Sequence, residues 1–372
     1  MVDNTDPPSE TADGTESLNR SEPFTFENSP RAPPSNAPLR RESVAGNNTS
    51  RSSTRTSSDV ASLVTAFVSG APFIALVAAV ETLIATALLG IGSTVAPLVV
   101  ALVTFAVYTV DHVADADADA ASTPKRALLA RRYGDQLMIV AALGYGLAVA
   151  LAIAGGPLAL GLTLLPGAFW VVYASDWVPD VGRAVSTALT AAIPRGRIGV
   201  GGGAKATDGG HRHVPRLKDV LVLNSAVVAT GWAAALTFLP VAFAGASVEP
   251  VMLVVFVYFL LRSFVDAELP NVRDVKADAA VGVKTLPVVF GVERTRSVLY
   301  GIDVLVAVVV GAAAVAGLLA WPLVGALGVG LAASMYITSL AGRVNDPAVL
   351  GVAPDSTYLL VGVAVAGVRL VV

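Results

Sequence analysis

The sequence predicts an all-α polytopic membrane protein, a bundle of nine transmembrane helices behind a disordered polar N-terminal arm. Three observations carry that prediction. Of the 372 residues, 54% are hydrophobic and only 14% are charged, against about 25% charged in an ordinary soluble domain; mean hydropathy is +0.69. From Val60 onward the apolar residues gather into runs near the roughly 20 residues that a membrane helix needs. Positive charge also stands on alternate joins between those runs and avoids the others.

Residues 1–58 form the arm. They are rich in Ser, Thr, Pro, Asn and Arg and nearly devoid of aliphatic residues. Such a segment cannot bury enough apolar surface to offset its ordering entropy. It has no apolar core of the kind a signal peptide carries. "LRRES" at 39–43 is separated from the first apolar run by "NNTSRSSTRTSS", so it does not read as a twin-arginine signal. Residues 59–372 form the membrane domain. Its spans are expected at 60–89, 94–110, 134–154, 157–174, 218–239, 250–269, 296–317, 321–341 and 355–372. Gly90 to Gly92, Gly155-Gly156-Pro157, Pro240, Trp321-Pro322 and Pro347 punctuate the joins.

Charge then orients the bundle. With the N-terminus inside, the inner loops 111–133, 175–217, 270–295 and 342–354 hold Lys and Arg, from Lys125 and Arg126 through Arg343. The outer joins hold none. That is the positive-inside pattern, and it places the N-terminus and both acidic loops in the cytoplasm. Only Arg369 stands near the outer end. The long inner loop 175–217 contains "GRIGVGGGAKATDGGHRH", a flexible glycine-rich insertion. No strand precedes those glycines and no Lys-Ser/Thr follows, so they do not read as a phosphate loop. His211 and His213 read as solvated. The net charge of −3 argues against a nucleic-acid partner, and the absence of cysteine excludes disulfides, thiolate metal sites and a cysteine nucleophile.

Two acidic clusters break the apolar pattern. "VDHVADADAD" (110–119) follows the second span and "LPNVRDVKADAAVGVKTLPVVFG" (269–291) follows the sixth. Asp111, Asp115 and Asp119 stand four apart. Asn271, Asp274 and Asp278 stand three and four apart. On a helix each set shares a face, from which Asp117 points away. Two carboxylates about 6 Å apart repel by roughly 3 kcal/mol at an effective dielectric near 20, and by well under 1 in water. Solvated loops would tolerate the clusters. At the mouth of a bundle they call for a cation, and hard carboxylate oxygens suit Mg2+. Cations follow each cluster (Lys125 and Arg126, then Lys284). Carboxylates, a metal and guanidinium or ammonium groups together suit a pyrophosphate.

From these residues the chain resembles the UbiA superfamily of intramembrane prenyltransferases over about 60–372. The second cluster is read onto the family pattern N-x-x-R-D-x-x-x-D-x-x-x-G-x-K/R-T-L-P through Asn271, Asp274, Asp278, Gly282, Lys284, Thr285, Leu286 and Pro287. The first family motif, N-D-x-x-D-x-x-x-D, is read onto Asp111, Asp115 and Asp119, with Val110 in the place of the asparagine. "STPKR" at 122–126 stands where quinone- and haem-pathway members carry Arg-Thr-x-x-Arg-Pro. "VVYASD" around Tyr173 and "RLKDVLVLN" (216–224) resemble the region of the fourth and fifth helices.

The resemblance implies a nine-helix UbiA-like bundle that moves a prenyl group from a polyprenyl diphosphate to a lipophilic acceptor within the membrane, with Mg2+ as cofactor. Asp111, Asp115 and Asp119 would hold one ion, Asp274 and Asp278 another, with Asn271 ligating or orienting a water. Lys125, Arg126, Arg273 and Lys284 are candidates for diphosphate oxygens. Arg262 lies inside the sixth span, where an unpaired charge is costly, and is expected at the cavity, paired with Asp266 or with substrate phosphate. Tyr173, Lys218, Asn224 and Tyr258 are candidates for the prenyl or acceptor pocket. Phe169, Trp170, Trp232 and Phe264 are further rings able to face a carbocation. Glu81 is expected near the outer interface. The acceptor is left open among an aromatic or quinone precursor, a glycerol-phosphate lipid and a carotenoid, and the oligomeric state is not legible. Two other readings stand beside this one. A cation transporter would place ionisable residues along a path through the spans, and the third, fourth, fifth and eighth have almost none. A catalytically inactive scaffold would rest on Val110 alone.

Overall fold

The computed structural model describes residues 70–117, 124–174, 223–281, 283–344 and 346–371. The polar arm 1–58 and the glycine-rich loop 175–217 lie outside them. The described residues form helices α1 (Ala71–Leu88), α2 (Ala96–Ala114), α3 (Pro124–Ala154), α4 (Pro157–Ala174), α5 (Leu223–Ala244), α6 (Pro250–Val281), α7 (Leu286–Phe290), α8 (Val292–Val315), α9 (Trp321–Leu340), α10 (Pro347–Gly351) and α11 (Ala353–Val371). Among them no strand occurs. Among the described residues eight helices are long and apolar enough to cross a membrane, and α4, Pro157–Ala174, falls on the fourth of the nine expected spans.

Proline and glycine set most boundaries. Proline occupies a first or second position in α1, α2, α7 and α9, and α3, α4, α6 and α10 each begin with one. There its missing N–H costs no helical bond and its fixed φ fits the turn. α8 ends on Gly317 at φ +74°. The Leu318 N–H bonds the Ala313 carbonyl at 2.8 Å and the Gly317 N–H bonds the Ala314 carbonyl at 3.0 Å, the paired closure that a left-handed residue permits. Two prolines do not act as the sequence suggests. α5 runs through Pro240 to Ala244, and α6 runs through Pro270 to Val281. The second acidic cluster is therefore a continuation of a membrane helix and not a loop. An interior proline also removes the N–H that would meet the carbonyl four residues earlier, here that of Asp266.

Each large helix packs on the next. The ring runs α1, α2, α3, α4, α5, α6, α8, α9, α11 and closes with α11 against α1. Small residues permit the closure. A Cβ at Gly330 in α9 would collide with Val361 of α11, and one at Gly362 in α11 with Val80 of α1. The seam holds Val77, Ile84, Val99, Val103, Leu236, Phe259, Leu327 and Val361 in one buried cluster. Hydroxyls inside it bond back along their own helices, Thr82 to the Ala78 carbonyl at 2.7 Å and Thr104 to that of Val100 at 2.7 Å. Arg369, the one cation at the far end, donates to the Ala87 carbonyl at 2.7 Å, where the last turn of α1 favours positive charge.

Candidate active site

A cavity of about 330 Å³ opens between α1, α2, α5, α6, α10 and α11. Asp111 and Asp115 line it from α2, Arg126 from the start of α3, and Pro270 and Arg273 from α6. Residues 155 positions and more apart thus meet at one end of the bundle, because α2 and α6 finish there together.

The first cluster reaches the cavity by its helical spacing. α2 ends at Ala114, and the Asp115 N–H still bonds the Asp111 carbonyl at 2.9 Å, so the two carboxylates stand on consecutive turns of one face. Asp119 lies outside the described residues. Asp117 points away, as expected. Its carboxylate is 94% exposed and takes the Arg131 guanidinium at 2.7 Å.

Counting along the helix also corrects the register of both motifs. The first family motif spaces its aspartates by three and four, whereas Asp111, Asp115 and Asp119 are spaced by four and four. Aligned on Asp115 and Asp119, the first aspartate falls on His112 and the asparagine on Asp111. His112 is indeed buried against the cavity, 9% exposed. In the second motif the asparagine precedes the first aspartate by four, which is Pro270 and not Asn271. Pro270 lines the cavity. Asn271 turns away and donates to Glu268 at 3.1 Å, whose other oxygen takes the Ser225 hydroxyl at 2.6 Å.

The remaining candidates divide. Arg273 enters the cavity with its Nε on Asp274 at 2.8 Å, and Gly351 of α10 makes room for it; a Cβ there would stand 2.8 Å from the guanidinium. Asp274 and Asp278 are not among the lining residues, and Asp278 accepts from the Thr285 hydroxyl at 3.3 Å. Lys284 is exposed. Tyr258 is buried edge-on against Phe259, away from the cavity. Arg262 does pair with Asp266, at 3.3 Å, but its main partner is the buried Asp303 at 2.9 Å. Ser334 and Thr357 complete its shell. It is walled off from the cavity and holds four helices together instead of meeting phosphate. Asp119, Lys218 and Gly282, and the side chains of Lys125, Tyr173 and Asn224, lie outside the described residues.

Tyr108, Asp355 and Tyr358 line the cavity and were not singled out in the sequence. Glu81 is not at the outer interface: it faces the cavity with Tyr108, Asp266, Asp355 and Tyr358. The signal was present, since Ile74, Val77, Ala78 and Glu81 share one helical face and a carboxylate inside a span marks a site by default. Trp232 stacks on Tyr108 at 6.2 Å and lines both this cavity and an apolar cleft with Val100, Val103, Leu162, Pro166 and Leu239. Among the described residues no three Asp, Glu, His or Cys are grouped as a metal cage. The oxygens of Asp111 and Asp115 nonetheless suit Mg2+, which takes one or two carboxylates and fills its shell with water and phosphate.

Gly351→Val should push Arg273 off its position. A lost charge-assisted contact predicts a roughly tenfold or greater weakening of diphosphate binding, measured by calorimetry in detergent; unchanged affinity would remove Arg273 from the site.

Residues 215–350 match the model of the UbiA prenyltransferase family. No curated protein matches the chain. Among solved structures, a digeranylgeranylglyceryl phosphate synthase aligns at TM-score 0.48 and 12% identity, over 82% of this chain and 97% of that one. A UbiA homolog from Archaeoglobus fulgidus bound to DMAPP and Mg2+ aligns at TM-score 0.47 and 16% identity, over 80% and 99%. The matched segment runs from ahead of α5 into α10 and carries the second acidic motif, and over that segment the chain is similar to the UbiA prenyltransferase family.

Proposed function

We propose that the protein transfers the prenyl group of a polyprenyl diphosphate to a lipophilic acceptor inside the bundle, using Mg2+. The observation that carries this is the single cavity into which Asp111, Asp115, Arg126 and Arg273 converge. In the reaction the bond between the allylic carbon and the diphosphate oxygen breaks, its electron pair leaves with the diphosphate, the acceptor's electrons form the new bond, and the proton that the acceptor then loses passes to water at the cavity's open end. Arg126 and Arg273 hold diphosphate oxygens. Asp111 and Asp115 hold Mg2+, which when bound neutralises the leaving charge. Asp274 keeps the Arg273 guanidinium in place. The rings of Tyr108 and Trp232 face the allylic carbon, and the apolar cleft behind Trp232 takes the prenyl chain.

The test is binding and turnover of labelled geranylgeranyl diphosphate by the purified full-length chain. Mg2+-dependent binding, followed by transfer to an added lipophilic acceptor, is the expected result; no binding with Mg2+ present would overturn the reading. Transport has less support. Arg262, Asp266 and Asp303 are intramembrane charges that close on one another.

The cavity's open end belongs on the cytoplasmic side by the charge bias of Arg126, Arg273, Lys284 and Arg294. Glu293→Cys, in this cysteine-free chain, should react with an impermeant maleimide only after cell lysis. Labelling of intact cells would reverse the orientation.

A further inference from the structure

The apolar cleft behind Trp232 continues the cavity away from its mouth. Trp232 of α5 lines both spaces. Beyond it the cleft follows α5 to Ala235 and Leu239, and follows α2 from Val103 to Val100. α4 supplies the third wall with Pro166, Thr163 and Leu162. Thr163 keeps that wall apolar, because its hydroxyl donates to the Ala159 carbonyl at 2.8 Å within the same helix.

The cleft ends blind. Leu239 and Val100 are 1% and 2% exposed. One turn past Leu239, Phe243 packs against the turn between α3 and α4, where a Cβ on Gly155 would collide with its ring and with Ala159. Leu239 stands two turns beyond Trp232, about 10 Å at 1.5 Å per residue. An extended isoprene unit is about 5 Å long, being four bonds of about 1.5 Å at tetrahedral angles. The free space between the walls is about 10 Å³, room for about one water, so a tail enters by parting them. α4 is the wall that yields. Pro166 leaves the Leu162 carbonyl without its helical N–H, and a helix bends most readily at such a residue. Bending α4 widens the cleft but does not lengthen it, since Leu239 and Phe243 belong to α5.

We propose that Leu239, backed by Phe243, sets the chain length of the prenyl substrate. This rests on the prenyl-transfer reading and narrows it. With the reacting unit at Tyr108 and Trp232, a cleft of that depth accepts about two further units of about 5 Å each. The preferred substrate is therefore an allylic diphosphate of three isoprene units, and a fourth unit gains nothing.

The experiment measures the affinities of thiolo analogues of dimethylallyl, geranyl, farnesyl and geranylgeranyl diphosphate for the full-length protein. Calorimetry in detergent with Mg2+ reads them, with inorganic diphosphate as the reference. Burial of each added unit should raise affinity at least tenfold up to farnesyl, and the step to geranylgeranyl should change it less than threefold. Leu239→Ala opens the floor, so the geranylgeranyl analogue should become at least tenfold tighter than the farnesyl one. Ala235→Leu fills the cleft midway, so the gain from geranyl to farnesyl should vanish. Thermal unfolding checks that each variant is folded, and where one is not, the other decides. Affinity that keeps rising to geranylgeranyl in the parent protein, or a length profile that neither substitution moves, would overturn the proposal. Diphosphate binding with no dependence on chain length would overturn it alone. Absence of binding by every analogue and by inorganic diphosphate would count against prenyl transfer itself.

Discussion

Asp115→Asn is expected to abolish prenyl transfer while leaving the bundle folded. The substitution keeps the size of the side chain and removes one of the two carboxylates that α2 presents to the cavity. Electrostatic stabilisation of a leaving charge commonly contributes on the order of a hundredfold to a thousandfold per group, so kcat/KM should fall by about a thousandfold. Stability moves the other way. Asp111 and Asp115 stand about 6 Å apart by helical spacing, and their repulsion is relieved when one is neutral. Thermal stability without Mg2+ should therefore stay level or rise. The extra stability gained on adding Mg2+ with diphosphate should shrink, because that gain measures ligand affinity. Asp117→Asn is the control. Its carboxylate is solvent-exposed and bound to Arg131, where an ion pair contributes little, so activity should change less than twofold. Equal damage from both substitutions would refute the assignment of a cavity face to α2.

Arg262→Met should destabilise the protein by about 3–5 kcal/mol, the cost of stranding a buried charge when its partner is removed. Arg262 is 1% exposed and Asp303 is fully buried. The guanidinium also meets Asp266, Thr357 and Ser334, and Ser334 in turn donates to Asp303 at 3.0 Å. One side chain on α6 thereby joins α8, α9 and α11. Replacing Asp303 as well, in the pair Arg262→Met with Asp303→Leu, should recover most of the loss, since an apolar pair leaves one fewer charge without a partner. Thermal unfolding in detergent reads both. A loss of diphosphate affinity with unchanged stability would instead return Arg262 to the site, where the sequence had suggested it.

The two outcomes bear on what each level of description can hold. Helix positions were largely legible because membrane insertion acts on composition: a run of apolar residues must satisfy its own backbone, and only a helix does so within one segment. Proline and glycine then mark the ends, with failures at Pro240 and Pro270, where packing carries a helix through a residue that would stop it in isolation. That Asp111, Asp115, Arg126 and Arg273 gather at one cavity was partly legible, since charge at the end of an apolar run is unusual and spacing sets its face.

The sequence by itself determined that this chain is a helical membrane protein with two acidic helix ends. Which side chains share the cavity was decided only by the tertiary structure. Glu81 and Asp355 lie far from either motif and are brought to it by the closure of α11 on α1. Arg262 is drawn away by Asp303, 41 residues on. One-residue registers separate His112 from Asp111 and Pro270 from Asn271. Hydropathy and motif matching count residues along the chain, whereas a binding site depends on direction around each helix axis, and one residue turns that direction by about 100°. That angle acquires a meaning only when a neighbouring helix fixes which side is inside.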